Sequence, residues 1–233
     1  MSFPPLLTGE AATNGADPFV AAINAARIGT DAGLIIHDVT PENLRAAMVL
    51  APECSLEDAM AGIFALAIGM GDALGALSPP EVAVHFEWPM GLRVNGAKCG
   101  QFRAAASHAD PSVEPDWLVI GFDMPIVDYS DNPGEDPDIT NLYDEGCTEI
   151  QSDRLLESWS RHALVWLNRW ADEGLAPLHA DWRSRAHGMG KDITINRKSG
   201  VITGTFTGLD EQGGLLLTVD GKTILVPLSE MLE

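Results

Sequence analysis

Residues 82–99 read Val-Ala-Val-His-Phe-Glu-Trp-Pro-Met-Gly-Leu-Arg-Val-Asn-Gly-Ala-Lys-Cys. This stretch contains the clearest strand and turn signals of the chain, and the other strands are predicted relative to it. In its first seven residues, large apolar side chains alternate with small or polar ones, which is the period of a strand with one buried face. Pro89 follows and favours the end or the edge of that strand, because it has no backbone N–H to donate to a neighbour. We therefore predict a strand over 82–88.

A β-hairpin is predicted directly after Pro89. Asn95-Gly96 lies between two strand-like runs, and this dipeptide suits the positive φ angles of a two-residue type I′ turn. With the dipeptide at the tip, the predicted cross-strand pairs are Val94 with Ala97, Arg93 with Lys98, and Leu92 with Cys99.

Arg93 and Lys98 would then lie opposite each other on one face of the hairpin. Two like charges in this position repel, so an anion or a carboxylate, from the protein or from a ligand, is expected to bridge them. The alternative is that both side chains point into water or pair with nearby acidic residues. Cys99 would point to the opposite face, which argues against a thiol nucleophile beside Lys98.

The flanking sequence predicts an α/β (α+β) domain, with a mixed β-sheet flanked by helices. Hydrophobic periodicity and capping residues indicate the elements. Helices are expected over 17–28, 56–77 and 152–174 and from Pro177 to Trp182; strands over 33–38 and 117–123; and a long acidic loop over 128–149. Pro41 begins a stretch that resembles a helix, although the residues around 48–51 could also form a strand.

The C-terminal residues change to a period of two. Four short apolar runs, at 193–195, 201–206, 215–219 and 223–226, are separated by turn signals such as Asp220-Gly221. This spacing is typical of a small β-barrel or meander. We predict two domains, residues 1–188 and 189–233, and expect the second to pack against the helices that precede it.

Charge and cysteine content narrow the classes of function. The 233 residues contain 14 basic and 34 acidic side chains, a formal net charge of −20. Phosphate would be repelled over most of the surface, so neither a nucleic acid nor an anionic membrane is an expected partner. Three widely spaced cysteines, without a C-x-x-C pair, predict no disulfide framework and no metal site. No secretory signal is recognised at the N-terminus, so a cytoplasmic location is expected.

The stretch from Glu87 to Lys98 resembles the K-W-P-N-D-l-x-x-N-G-x-K segment of the biotin/lipoate protein ligase family. The strand over 116–123 resembles the strand that follows it in that family, usually v-I-G-i-G-i-N. Residues 170–183 resemble the E-G-f-a-P and W-r region of biotin protein ligases, and 190–230 resemble their C-terminal SH3-like module. The resemblance implies a biotin/lipoate protein ligase-like domain with a mixed sheet, followed by a small SH3-like β-barrel.

Members of that family activate a carboxylic acid with ATP and pass it to a lysine of a carrier protein. The resemblance implies that Lys98 is the catalytic residue, since an ammonium at the reacting acyl group would stabilise developing negative charge. It implies ligand-binding roles for six further residues, namely Trp88, Arg93, Asn95, Gly96, Gly100 and Gln101. It also implies biotin or lipoate as the small carboxylic acid, ATP and Mg as cofactors, a carrier-protein acceptor and a homodimer.

The sequence departs from the family pattern at two places. Glu87 stands where the motif has its first lysine, with Met90-Gly91 in place of Asn-Asp. The loop G-R-G-R-R-G-R, which should follow the strand over 33–38, is replaced by Val39-Thr-Pro-Glu-Asn-Leu-Arg. Both changes reduce the positive charge available to phosphate, so altered adenylation is expected. Three hypotheses follow. The first is an enzyme, either a biotin/lipoate protein ligase-like one or an acyltransferase that takes a preformed acyl group; the second is a catalytically degenerate relative that binds a small acid or a protein partner; the third is a scaffold.

Overall fold

The computed structural model describes residues 1–13, 15–129 and 136–233. Its larger sheet has seven strands in the order β1-β2-β3-β7-β6-β5-β4. β1 runs parallel to β2 and the other pairs are antiparallel, so the sheet is mixed, as predicted. The strands are β1 (Thr8–Ala11), β2 (Leu34–Val39), β3 (Asn43–Leu50), β4 (Val84–Glu87), β5 (Gly91–Val94), β6 (Ala97–Ala106) and β7 (Leu118–Pro125).

Helices cover both faces of this sheet. They are α1 (Pro18–Arg27), α2 (Leu56–Ala59), α3 (Gly62–Leu77), α4 (Ser152–Glu173) and α5 (Ala176–Ser184). In β2, Leu34 and Ile36 pack with Phe19 of α1, whereas Ile35 between them joins the core around α3. Adjacent residues point to opposite faces, and both faces are covered, so β2 is a continuous apolar run.

The stretch after Pro41 is a strand, and the prediction of a helix there was wrong. Residues 43–50 form β3, which pairs with β2 on one side and β7 on the other. Its alternate side chains enter both buried layers, and these long-range contacts override the local helical pattern. The acidic stretch over 128–149 contains turns and one isolated bridge, from Lys98 to Ile139, in its described parts. Residues 130–135 of that predicted loop lie outside the described residues.

The helix predicted over 56–77 is interrupted at Met60 and Ala61. Ser55 caps α2 as predicted, with its hydroxyl accepting a hydrogen bond from the Asp58 N–H. The Ile63 N–H then donates to the Met60 carbonyl at 3.0 Å, an i to i−3 bond that tightens the turn before α3 begins. By length and apolar character Leu56–Leu77 could cross a membrane. However, 78% of its most apolar 18-residue stretch is buried inside the protein, as in a core helix.

The C-terminal residues form an antiparallel meander, as their period of two predicts. Its strands are β8 (Asp192–Arg197), β9 (Gly200–Leu209), β10 (Leu215–Val219) and β11 (Lys222–Val226), paired in sequence order. The meander shares its core with the larger sheet: a Cβ added at Gly213 would lie 2.5 Å from the Phe64 ring of α3, and the Trp88 indole donates to the Gly213 carbonyl at 3.0 Å. The two sheets therefore form a single packed body.

Two glycines of α3 provide a matched test of this packing. A Cβ at Gly69 would lie 2.8 Å from the backbone nitrogen of Ala163 in α4, whereas a Cβ at Gly75 would meet nothing within 4 Å. We expect Gly69→Ala to lower the free energy of unfolding by about 2 kcal/mol, because α4 must move away. Gly75→Ala should raise it by about 0.5–1 kcal/mol through its better helix propensity.

Urea denaturation of both variants beside the wild type measures this difference. A loss at Gly69 no larger than the change at Gly75 would mean that α3 and α4 are not in close contact there.

Candidate functional site

The hairpin between β5 and β6 has the turn that its sequence predicts. Asn95 and Gly96 have φ angles of 50° and 98°, and Arg93 lies opposite Lys98. One predicted pair was wrong: Leu92 lies opposite Gly100, not Cys99, because a β-bulge shifts the register between Leu92 and Arg93. The bulge leaves Cys99 as one extra residue in β6, between the residue paired with Arg93 and the residue paired with Leu92.

Glu87, at the end of β4, supplies the carboxylate between the two cations. Its Oε2 accepts a hydrogen bond from Arg93 Nε at 2.7 Å, and its Oε1 lies 3.8 Å from Lys98 Nζ. Of the two predicted sources of a bridging anion, the protein itself is the one observed. A Cβ added at Gly91, which pairs with Glu87 across the strands, would lie 2.9 Å from the Glu87 Cβ, so glycine leaves room for the carboxylate side chain.

Arg93 and Lys98 differ in how they meet solvent. The Arg93 side chain is only 9% exposed, and its Nη1 also donates to the Gly96 carbonyl at 2.6 Å. The Lys98 side chain is 54% exposed, so Lys98 is the more solvent-accessible of the two cations. Arg93 is therefore a buried cation held by the protein, whereas Lys98 can still contact a ligand.

These residues form one wall of a cleft of about 870 Å³ between the larger sheet and the meander. The other wall comes from the linker after α5 and from β8. Three basic side chains line the cleft, Arg93, Lys98 and Lys191, and three acidic ones, Glu87, Asp123 and Asp192. In a chain with a net charge of −20, this cleft has a balanced charge and does not share the acidic excess of the chain as a whole.

Five of the seven residues predicted for the site line this cleft: Trp88, Arg93, Lys98, Gly100 and Gln101. Trp88 is 3% exposed and also joins the two sheets through its bond to Gly213. A Cβ added at Gly100 would lie 2.9 Å from the Asp123 carbonyl oxygen, so a larger residue would not fit there without displacing the backbone.

Asn95 and Gly96 lie at the hairpin tip, outside the cleft lining. The Asn95 Oδ1 accepts a hydrogen bond from the Ala83 N–H at 3.0 Å, and its Nδ2 donates to Glu145 at 2.8 Å. Gly96 contributes its carbonyl to Arg93. In this structure both residues hold the hairpin in place.

The linker contributes cleft residues that the sequence did not indicate, among them His187 and Lys191. The His187 N–H donates to the Phe86 carbonyl of β4 at 2.7 Å, which ties the linker to the site. Burial, and then the charge of Arg93, lower the pKa of His187. No motif marks these residues, since their proximity to β4 arises from backbone pairing between the linker and that strand.

Cys99 does not serve as a nucleophile in this arrangement. Its side chain is fully buried, and its Sγ lies 4.0 Å from the Met124 Sδ. Burial raises the pKa of the Cys99 thiol far above its usual range, so the reactive thiolate is not formed at neutral pH.

The turn between β2 and β3 does not provide positive charge for a nucleoside triphosphate. β2 and β3 are joined by a tight turn in which the Thr40 N–H donates to the Asn43 carbonyl at 2.9 Å, at the position where the family has its arginine-rich loop. Arg45, the basic residue that follows this turn along the chain, pairs with Asp38. Within residues 1–13, 15–129 and 136–233, no group of three or more His, Cys, Asp or Glu side chains is placed to hold a metal ion.

The mixed sheet and the docked meander match the fold of biotin protein ligases. Residues 3–184 match the biotin/lipoate A/B protein ligase family, and residues 188–229 match the biotin protein ligase C-terminal domain. The chain belongs to the biotin/lipoate A/B protein ligase family.

Individual relatives agree with this assignment. The chain is 50% identical to a biotin protein ligase-like protein of unknown function from Silicibacter sp. TM1040, with a TM-score of 0.93 over 100% of this chain and 99% of that one. It matches the Aquifex aeolicus biotin protein ligase in complex with biotin and ATP at 17% identity, with a TM-score of 0.71 over 96% and 95% of the two chains. It is 23% identical to the biotin–[acetyl-CoA-carboxylase] ligase of Paracoccus denitrificans, over 81% of this chain and 79% of that protein.

The different burial of the two cations predicts different effects on stability. We expect Arg93→Met to lower the free energy of unfolding by about 2 kcal/mol, because the Gly96 carbonyl and Glu87 lose a charged donor in a buried place. Lys98→Met should change it by less than about 0.5 kcal/mol, since an exposed ion pair contributes little. Equal losses in the two variants, measured by urea denaturation, would contradict the assignment of Arg93 as the buried structural cation.

Proposed function

We propose that this protein binds a small acyl group, of the biotin or lipoyl/octanoyl type, in the cleft and transfers it to a lysine of a carrier protein. The observation that carries the proposal is the Lys98 ammonium, half-exposed in the wall of a cleft that has room for such a group. Lys98 is also the residue that matches the lysine of the family's N-G-x-K segment. Membership of the family supports the carrier lysine as acceptor.

The acyl group would come from a preformed donor, an ester or a thioester, instead of an acyl-adenylate. Among the described residues, the turn at Thr40–Asn43 offers no cation to a triphosphate. Residues 130–135 contain no lysine or arginine either. A donor that is already activated needs no phosphate-binding loop.

The transfer step is a substitution at the acyl carbon. The amine of the carrier lysine forms the new C–N bond, and the bond from the acyl carbon to the donor's oxygen or sulfur breaks. The proton lost by the amine ends on the leaving alcohol or thiol. Lys98 Nζ would stabilise the negative charge that develops on the acyl oxygen between these events.

A second candidate is a catalytically degenerate relative that binds a small acid or a protein partner without turnover. The observation in its favour is Glu87, whose carboxylate lies 3.8 Å from Lys98 Nζ and partly neutralises the charge on which the transfer would depend. The cleft and the hairpin would then be retained for binding alone.

We also propose a cytoplasmic location. Cys54, Cys99 and Cys147 are all free thiols in the structure, which suits a reducing compartment.

The proposed transfer can be tested with small thioesters of octanoate, lipoate and biotin and with isolated lipoyl and biotin carrier domains. We expect the wild-type protein to form the lysine amide and release thiol without ATP. Lys98→Ala should slow the reaction by about 100-fold, the usual effect of losing one oxyanion donor. Lys198→Ala, in the turn between β8 and β9, is the matched control and should leave the rate unchanged. Mass spectrometry of the carrier and a thiol assay measure the two products.

Two results would contradict the proposal. Amide formation that requires Mg·ATP would mean that the protein adenylates its acid despite the short turn. A thermal shift with acid or thioester, without any amide in either carrier, would favour the degenerate binder.

A further inference from the structure

Glu87 places a carboxylate of the protein beside Lys98, in the position that the acid group of a ligand would take there. Its two oxygens lie 2.7 Å from Arg93 Nε and 3.8 Å from Lys98 Nζ. A carboxylate ligand that reached Lys98 would therefore lie within a few ångströms of the Glu87 carboxylate. At that separation, two negative charges in a partly desolvated cleft repel each other, and the Lys98 ammonium would be shared between them.

The position of Glu87 is held by the surrounding backbone. Arg93, its main partner, is only 9% exposed and also donates to the Gly96 carbonyl. Gly91 lies across the strands from Glu87 and leaves the space that the glutamate side chain occupies. Moving Glu87 away would leave Arg93 as a buried cation without its carboxylate, which is costly.

An uncharged acyl group does not meet this repulsion. The carbonyl oxygen of an ester, a thioester or an amide can accept a hydrogen bond from Lys98 Nζ and adds no net charge to the cleft. The Glu87 carboxylate would then remain paired with Arg93.

We infer that Glu87 is a specificity-determining residue that makes the cleft accept uncharged acyl derivatives in preference to free carboxylic acids. The inference rests on the proposed function, because it concerns the same cleft and the same Lys98. It names the chemical class of ligand, and it assigns the selection to one side chain.

Binding measurements on matched ligand pairs test this inference: biotin with biotinamide, and lipoate with lipoamide. Each pair has the same acyl chain and differs in the charge of its head group. By isothermal titration calorimetry, we expect the wild type to bind each amide about tenfold more tightly than the acid. Glu87→Gln should bind the acid about tenfold more tightly than the wild type does, and bind the amide within about twofold of it, because a glutamine can still accept the Arg93 hydrogen bond.

Asp192→Asn is the matched control. It removes one carboxylate from the opposite wall of the same cleft, where Asp192 accepts a hydrogen bond from Thr205 at 2.7 Å. If selection depends on the position of Glu87, this variant should keep the wild-type ratio of acid to amide affinity. An equal gain for the acid in both variants would mean that total charge, and not Glu87, sets the preference.

The remaining results separate the inference from the proposed function. A wild type that binds the acid as tightly as the amide overturns the role of Glu87, while it leaves the cleft as an acyl-binding site. A preference that Glu87→Gln does not alter overturns it as well. If neither the acid nor the amide binds to any of the three proteins, the proposed acyl site fails and the inference fails with it. A wild type that lacks the preference overturns the inference even if Glu87→Gln does not fold.

Discussion

The structure depends on enclosing one apolar helix, α3, on every side. Every residue from Gly62 to Gly71 is buried, so no face of this part of the helix can be left to water. The strands supply one wall, where Gly62 approaches Ile120, and α4 supplies another, where Gly69 approaches Ala163. α5 and the meander close the remaining sides around the Phe64 ring, which lies 5.1 Å from the ring of Trp182. Because the meander is one of these walls, burial of α3 also fixes the cleft between the two sheets.

Local chemistry was sufficient to predict the elements that depend on it. Asn95 and Gly96 form their turn because only residues that tolerate positive φ fit it, and Gly174 ends α4 with a φ of 75° for the same reason. β3 was harder to predict, because its strand character comes from neighbours on both sides of the sheet and from helices on both faces. A single sequence does not contain those contacts in readable form, and the turn at Pro41 alone suits a helix start as well as a hairpin.

At the candidate site too, features set by local sequence could be predicted, and features set by long-range pairing could not. That Arg93 and Lys98 share a face followed from counting residues back from the turn. That Glu87 bridges them did not follow, because its position depends on how β4 pairs with β5, which the sequence alone does not specify. Lys191 and Asp192 were out of reach for a different reason: they enter the cleft from the linker and β8, and only the docking of the meander brings them near.

The two departures from the family motif both change the electric charge around the site. Outside the cleft, Arg45 pairs with Asp38, and Arg103 pairs with both Asp17 and Glu233. Each of these cations therefore already has a carboxylate partner within the protein. The short turn at Thr40 removes positive charge from one side of the site, and Glu87 adds negative charge at the other. Both changes disfavour a ligand with several negative charges, and neither obstructs an uncharged acyl chain. Under the proposed function, a site altered in this way would stay suited to an acyl group, while any chemistry that needs phosphate would lack electrostatic support.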